Sequence, residues 1–319
     1  MLKVVVIGYG DMFNNIIAGT LDSGSKIVGV FRHDRVKYPR FIRWIKDRIN
    51  PDMDYSYIQS YKLKEIKATS ANSESFRKQL LKLNPDIMIV ASWSEKLEKA
   101  TFDMPKTATL NVHPSLLPKY RGPNPYVQVI KNREKKSGVT IHLMDDGIDT
   151  GAILDQREVE ILPSDTGKEL KIKTSLTARG AICELLQKMS EDVVFPVMQK
   201  EDKATYFSND FDTDIDFSKP IEDTVAQIRA IHPWGRCYFY HKGHAIYPNP
   251  YRLVIIDSDN EGRQIGEVVA TDFKDRSITV VCPDNKLLRM GDVKLYGTYR
   301  KFLTKGYIRR AVKIGDILE

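Results

Sequence analysis

The sequence contains few cysteines and no long apolar run. Its 319 residues include three cysteines, which lie far apart and form no Cys-x-x-Cys pair: Cys183, Cys237 and Cys282. This spacing argues against a disulfide framework and against a zinc site, so we predict that all three are buried thiols. No segment approaches the ~20 apolar residues that a membrane helix needs, and the N-terminus lacks the features of a signal peptide. We therefore expect a cytoplasmic protein without a membrane partner.

The composition is that of a folded protein with an excess of positive charge. Hydrophobic residues make up 42% and charged residues 29% of the chain, which is typical of an ordered globular protein. The formal net charge of +7 favours an anionic partner, such as a nucleic acid or a phosphorylated small molecule. A chain of this length has room for two domains.

The first half of the chain shows an α/β pattern. Residues 3–7 and 86–92 are apolar runs without polar alternation, which is typical of strands buried on both faces of a parallel sheet. Gly8 and Gly10 turn the first run into a helix, so we predict a Rossmann-like, doubly wound domain. The third glycine of a dinucleotide-binding G-x-G-x-x-G motif is replaced by Phe13, and no acidic residue clearly ends the second predicted strand, at residues 26–31. These departures argue against NAD binding.

Two segments place polar side chains at the ends of predicted strands. Asn111 and His113 are two residues apart, so both should project from the same side of an extended chain. Pro114 and Pro118 bracket the following loop and Gly122-Pro123 closes it, and loops held in this way often carry chemistry. Alone, this pair is more simply interpreted as a structural hydrogen-bonding pair. Residues 138–151 form a second strand and a carboxylate-rich turn, whose last carboxylate, Asp149, is a candidate third member of the site.

Other polar residues in the second segment have simpler interpretations. His142 lies on the polar face of the strand and has no nucleophile or metal partner at a suitable spacing, so we interpret it as structural or pocket-lining. Asp145 and Asp146 could suggest a metal pair, but no further His or carboxylate stands at ligand spacing. We therefore predict a turn rich in carboxylates and no metal.

The segments NVHPSLLPKYRG and GVTIHLMDDGIDTGAIL together resemble the folate-dependent formyltransferase family. Members of that family transfer a formyl group from 10-formyltetrahydrofolate to a primary amine. The resemblance implies that His113 moves protons and, when protonated, helps to hold the oxyanion, that Asn111 donates to the oxyanion, and that Asp149 orients His113. It also implies that this folate is the co-substrate and that no metal takes part.

The resemblance further implies a folate pocket beside these residues, beyond the carboxyl ends of the strands. The family has a Gly-containing turn at one edge of this pocket, whereas this chain has the sequence Ser-Trp-Ser there. The residues assigned to the pocket are Ser92, Trp93, Ser94, Ser115, Leu116, Leu117, Pro118, Asp145 and Gly147.

The pattern changes near residue 206. An acidic linker and a helix at residues 220–231 precede five short predicted strands, at 251–256, 264–270, 277–282, 286–290 and 293–296. Such strands predict a small antiparallel barrel, and the resemblance implies that it is OB-like. We predict a formyltransferase domain over residues 1–205, followed by an OB-like domain with its linker over residues 206–319.

Two basic segments bear on the acceptor of the formyl group. Residues 32–51 interleave basic and aromatic side chains, and residues 299–313 are basic without an acidic residue, although solvated amphipathic helices would also explain both patterns. The resemblance implies that tRNA is the acceptor and that it contacts Arg40, Arg43, Lys46, Arg121, Arg309 and Arg310. The first segment lacks the Gly-rich basic motif of tRNA-formylating relatives. Two alternatives therefore remain: the acceptor is an amino sugar nucleotide or another small amine, or the protein binds RNA and is catalytically silent. The sequence does not indicate the oligomeric state.

Overall fold

The structure, a computed structural model, describes residues 1–32, 52–191, 193–297 and 301–319. The chain folds as two compact units. The first unit comprises Met1–Pro125, Lys136–Glu160 and Lys171–Ser208, and the second comprises Tyr126–Lys135, Ile161–Leu170 and Asn209–Glu319. The domain boundary between residues 205 and 206 stays a prediction.

A six-stranded sheet forms the centre of the first unit. Its strands are β1 (Lys3–Gly8), β2 (Lys26–Arg32), β3 (Ile87–Ala91), β4 (Ala108–His113), β5 (Lys136–Leu143) and β6 (Ile153–Glu160), in the spatial order β2-β1-β3-β4-β5-β6. The first four strands pair in parallel, whereas β4 with β5 and β5 with β6 pair antiparallel. The predicted α/β fold with a parallel, Rossmann-like sheet is thus confirmed, with two further strands joined by antiparallel pairing at one edge.

Helices connect and cover these strands. Those described up to residue 190 are α1 (Gly10–Asp22), α2 (Met53–Ser60), α3 (Glu74–Leu83), α4 (Lys99–Phe102), α5 (Pro125–Lys131) and α6 (Gly167–Ser190). The Ser73 side chain caps α3 by accepting from the N–H of Phe76 at 3.2 Å. Ser164 and Asp165 are residue types that favour a helix N-cap, but helix α6 begins only at Gly167. Its first turn is closed by Thr166, whose N–H donates to the Glu169 carboxylate at 3.1 Å.

Alternate residues of β1 face opposite sides of the sheet, and apolar side chains cover both sides. Val4 and Val6 belong to a buried cluster with residues of α1 and α6. Val5 and Ile7 belong to a second buried cluster with residues of α3. Because both faces are apolar, the strand shows no polar alternation in the sequence, as a doubly covered sheet requires.

The N-terminus of α1 is hydrogen-bonded to a carboxylate from elsewhere in the same chain. The Asp54 carboxylate accepts from the N–H of Gly10 at 2.8 Å and from Nδ2 of Asn14 at 2.9 Å. Burial raises the pKa of Asp54 above its usual value, although these two hydrogen bonds oppose the shift. Dinucleotide-binding folds place a phosphate at this helix terminus. Here an internal carboxylate takes that position.

The second unit is built on antiparallel strands. Its elements are α7 (Ile221–Ile231), β7 (Phe239–His241), β8 (His244–Tyr247), β9 (Leu253–Asp257), β10 (Val268–Asp272), β11 (Ser277–Cys282), β12 (Lys286–Met290), β13 (Lys294–Leu295) and α8 (Lys301–Arg310). One sheet has the order β10-β11-β12-β9 and another has the order β13-β8-β7, so within the described residues the strands form two sheets and no closed barrel. A C-terminal β-sheet domain is therefore observed, while its OB-like character stays a prediction.

The hairpin of β7 and β8 was not predicted, although the sequence contains a signal for it. Lys242 and Gly243 connect the strands with φ values of 50° and 76°. Two central residues with positive φ are the mark of a two-residue type I′ turn, for which glycine at the second position is favourable.

The cysteines differ in burial. Cys237 and Cys282 are buried as predicted, but Cys183 is only half-buried, so the prediction is wrong for that thiol. Burial raises the pKa of Cys237 to about 12 and that of Cys282 to about 11, which keeps both thiols protonated. Among the helices of the described residues, none has the length and apolar character to cross a membrane.

Candidate active site

The carboxyl end of β4 and the turn after β5 bring the three predicted catalytic side chains together. Nδ2 of Asn111 donates to Oδ1 of Asp149 at 3.0 Å. Nδ1 of His113 lies 3.5 Å from Oδ2 of the same carboxylate. An amide, an imidazole and a carboxylate therefore meet at one point, although their catalytic roles stay a prediction.

Asp149 is held by its backbone as well as by its side chain. Its φ of 56° lies in the left-handed region, which is uncommon for a residue other than glycine and often occurs at functional sites. The N–H of Gly122 donates to its Oδ2 at 2.9 Å. Burial alone would raise the pKa of Asp149, but the electrostatic influence of His113, the contact with His142 and the Gly122 hydrogen bond together hold it well below its usual range. The group is thus a carboxylate at neutral pH.

His113 is buried, with 5% of its surface exposed, and its two ring nitrogens have different surroundings. Nε2 lies 2.8 Å from the carbonyl oxygen of Tyr120, and because a carbonyl only accepts, Nε2 carries a hydrogen. Burial lowers the pKa of His113, and the charge of Asp149 opposes this shift only in part. The neutral ring therefore keeps a lone pair on Nδ1, beside the carboxylate.

A segment at residues 197–207 joins the two loops that carry the site. Nε2 of Gln199 donates to the carbonyl oxygens of Asp149 and Gly151, at 2.8 Å each. The main chain of Arg121 donates to Thr205 at 2.8 Å and accepts from residue 207 at 3.1 Å. This segment carries no periodic or compositional signal, so its contribution to the site is not predicted from the sequence.

Arg121, predicted to contact tRNA, is instead enclosed by this segment. Its guanidinium donates to both carboxylate oxygens of Glu201, at 2.7 and 2.9 Å, and to Oε1 of Gln199, at 2.8 and 3.2 Å. Only 7% of Arg121 is exposed. These contacts occupy the guanidinium and argue against the predicted contact with RNA.

His142, interpreted from the sequence as structural or pocket-lining, lies beside two of the predicted catalytic residues. It stands opposite Asn111 in the antiparallel register of β4 and β5. Its Nε2 is 3.1 Å from Nδ2 of Asn111 and 3.6 Å from Oδ1 of Asp149. The period of the strand placed His142 on a polar face, but only the register shows which residue it faces.

Several residues predicted to bind folate hold the loops in shape. The Ser115 hydroxyl donates to the carbonyl oxygen of Lys119 at 2.8 Å, and the N–H of Leu117 donates to Oγ1 of Thr140 at 3.2 Å. Both predicted residues are buried. The neighbouring residues Leu116 and Pro118 are half-buried. Contact of these residues with folate stays a prediction.

The other predicted folate residues lie on two turns. Ser92 has a φ of 58°, and the ring of Trp93 packs against Phe31 with centroids 5.4 Å apart. Oδ1 of Asp145 accepts from the N–H of Gly147 at 3.1 Å and from a threonine hydroxyl at 2.6 Å, as in a carboxylate-rich turn. Ser94, the next residue along the chain, is exposed. Within the described residues, no three His, Cys, Asp or Glu side chains are grouped so as to hold a metal ion.

The remaining predicted RNA contacts fall in two places. Arg40, Arg43 and Lys46 lie outside the described residues. Arg309 and Arg310 are exposed in the last turn of α8, and the guanidinium of Arg309 lies 5.5 Å from the ring centroid of Phe273. Both arginines are therefore accessible to a partner.

The fold and the polar residues that meet at its strand ends are those of a group-transfer enzyme. The chain belongs to the formyl transferase family: the model of the formyl transferase domain matches residues 2–186, and that of the formyl transferase C-terminal domain matches residues 209–299. The resemblance seen in the sequence is thus confirmed, and the chain is a formyltransferase.

Individual relatives support this assignment. The methionyl-tRNA formyltransferase of Halothermothrix orenii is 30% identical over 80% of this chain and 82% of its own length. That of a Geobacillus species is 32% identical over 75% of this chain and 74% of its own. Among solved structures, an N-formyltransferase of Helicobacter canadensis in complex with folinic acid and dTDP-3-aminofucose has a TM-score of 0.66, covers 93% of this chain and 100% of its own, and is 20% identical. The last likeness shows that the fold is shared.

Proposed function

We propose that this chain transfers the formyl group of 10-formyltetrahydrofolate to the amino group of methionyl initiator tRNA. The convergence of Asn111, His113 and Asp149 supports the chemistry. The acceptor is supported by two relatives named methionyl-tRNA formyltransferase, which match this chain over three quarters or more of its length. Arg309 and Arg310, exposed on the second unit, would contact the RNA backbone, and we propose an OB-like arrangement for the strands of that unit.

The proposed reaction is an acyl transfer. The acceptor amine attacks the formyl carbon, a tetrahedral oxyanion forms, and the bond from that carbon to the folate nitrogen breaks. The amine loses one proton and the folate nitrogen gains one, so no proton is released overall. The lone pair on Nδ1 of His113 accepts the first proton, and Asp149, 3.5 Å away, stabilises the resulting imidazolium until it protonates the folate nitrogen.

An amino sugar nucleotide is the second candidate acceptor. The Helicobacter canadensis enzyme that was solved with dTDP-3-aminofucose shares the fold over 93% of this chain. The two candidates differ in the size of the acceptor, while the chemistry at the formyl carbon is the same.

Competition between acceptors tests the proposal. The protein is incubated with 10-formyltetrahydrofolate and either charged initiator tRNA or dTDP-linked amino sugars, and tetrahydrofolate release is followed. Formylation of the tRNA is expected, and the His113→Asn variant should be slower by about 10²–10⁴-fold. Formylation of a sugar with the tRNA unchanged would reject the proposed acceptor. RNA binding without turnover of any amine would instead indicate a silent RNA-binding protein.

A further inference from the structure

His142 contacts the proposed catalytic residues from within the sheet. It lies on β5 directly opposite Asn111 of β4, and residues opposite each other in an antiparallel pair place their side chains on the same face. His142 is 2% exposed, so its ring nitrogens are satisfied by protein groups rather than by bulk water. Nε2 lies 3.1 Å from Nδ2 of Asn111, and Nδ1 lies 2.8 Å from the carbonyl oxygen of Leu143.

These two contacts define the tautomer of His142. The carbonyl oxygen of Leu143 can only accept, so Nδ1 carries the hydrogen. In the neutral ring, Nε2 then has a lone pair and accepts from the amide of Asn111. The imidazole is therefore held by a backbone carbonyl on one side and holds the side chain of Asn111 on the other.

The same contacts determine which way the Asn111 amide faces. Its Nδ2 has two hydrogens, of which one is donated to His142 and the other to Oδ1 of Asp149, at 3.0 Å. A reversed amide would place its oxygen against a carboxylate oxygen and a lone pair, which is electrostatically unfavourable in both contacts. Oδ1 of Asn111 takes part in neither contact, and within the described residues no group donates a hydrogen bond to it. It is also not one of the buried polar atoms without a hydrogen-bond partner.

We propose that His142 is a positioning residue that fixes the Asn111 carboxamide, so that Asn111 presents its Oδ1 to the substrates and accepts a hydrogen bond from the attacking amine. This inference rests on the proposed formyl transfer and deepens it. The resemblance to the family implied that Asn111 donates to the oxyanion, but both of its N–H groups are engaged in the site. A hydrogen-bond acceptor beside the attacking amine would orient the lone pair of the amine nitrogen towards the formyl carbon. Small errors in such orientation cost up to about 10²-fold in rate.

Two substitutions separate positioning from packing. His142→Leu fills the space but has no acceptor for Asn111, whereas the amide oxygen of His142→Gln can replace Nε2. We expect His142→Leu to lower kcat by about 10-fold to 10²-fold with a smaller change in KM for the folate, and His142→Gln to recover most of kcat. Thermal unfolding of each variant establishes that the protein is folded at the assay temperature. Equal kcat for the wild type and His142→Leu would overturn the proposal.

A double-mutant cycle with Asn111→Ala tests whether His142 acts through Asn111. If it does, His142→Leu causes no further loss of kcat in the Asn111→Ala background, because there is no amide left to position. A residue that only supports the fold would cause the same loss in both backgrounds, and that result would overturn the proposal.

An NMR measurement on the free protein tests the positioning role of His142 without requiring the identity of the amine that is formylated. In the free protein, the side-chain amide protons of Asn111 should be protected from exchange in the wild type and in His142→Gln, and should lose this protection in His142→Leu. If no amine is formylated but this difference is observed, the proposed function fails while the positioning role stands. Identical exchange in all three proteins would overturn the positioning role itself.

Discussion

The carboxamide of Asn111 and the carboxylate of Asp149 are hydrogen-bonded at 3.0 Å, although 38 residues separate them in the chain. This bond joins the end of a strand to a turn, and it places the negative charge of Asp149 where it can act on the imidazole of His113 at 3.5 Å. The site is therefore already arranged in the free protein, and no segment has to move to bring its polar groups together. Preorganisation of this kind reduces the cost of stabilising charge in the transition state.

The titration of His113 should show the effect of its burial. Burial lowers its pKa and Asp149 partly restores it, so the NMR titration midpoint should lie below ~6.5, the value for an exposed histidine. In Asp149→Asn the restoring charge is absent, and the midpoint should fall further. Because the folded pKa is the lower one, His113 contributes stability that is complete above ~6.5 and is lost as the pH falls through the folded pKa. A midpoint above that of an exposed histidine would contradict this account.

Gln199 should matter for both stability and rate, although it carries no charge. Gln199→Leu removes the two hydrogen bonds to the carbonyls of Asp149 and Gly151, which would leave polar groups unpaired at a cost of about 1–3 kcal/mol in the free energy of unfolding. The turn that holds Asp149 would also be less fixed, so kcat should fall. Gln187→Leu, at an exposed position of α6, is the matched control and should change neither quantity appreciably. Denaturant unfolding and steady-state kinetics measure the two effects, and equal behaviour of the two variants would count against the role of Gln199.

The arginines predicted to bind RNA should separate into two groups. Replacing Arg309 and Arg310 by alanine removes two exposed charges, so the slope of log affinity for RNA against log salt should decrease by about 2. Arg121→Ala should leave that slope unchanged, but it should lower stability because Glu201 and Gln199 lose their partner. Filter-binding titrations at several salt concentrations distinguish the groups. A change of slope for Arg121→Ala alone would show that the enclosed arginine reaches the RNA.

Gly151 should tolerate no side chain, in contrast to Gly180. A Cβ atom at Gly151 would overlap the carbonyl oxygen of Leu143, so Gly151→Ala must displace the turn that carries Asp149. Nothing lies within 4 Å of a Cβ at Gly180, which is in the interior of α6. There, alanine should stabilise the protein by about 0.5–1 kcal/mol because it favours the helix. We expect loss of activity and a lower unfolding midpoint for Gly151→Ala, and full activity for Gly180→Ala.

Local patterns in the sequence predicted the sheet and the catalytic candidates, but not what holds them. The sequence of Val4 to Ile7 predicts a strand buried on both faces because an unbroken apolar run is a local pattern. The contacts of Gln199 and Arg121 join positions 78 residues apart, and no period or composition relates them. The role of His142 depended on the register of two strands, which a single strand pattern does not contain. The turn at Lys242 and Gly243, by contrast, had a local signal that could have predicted its hairpin.

The segment at residues 197–207 also determines when the site can form during synthesis. The ribosome delivers Asn111, His113 and Asp149 before it delivers Gln199, which holds the main chain of Asp149 from a later position. A nascent chain that ends at residue 186, the last residue matched by the formyl transferase domain, therefore contains every proposed proton-handling group but lacks this support. Competence for the reaction should consequently appear late in translation, as a step that follows the folding of the sheet.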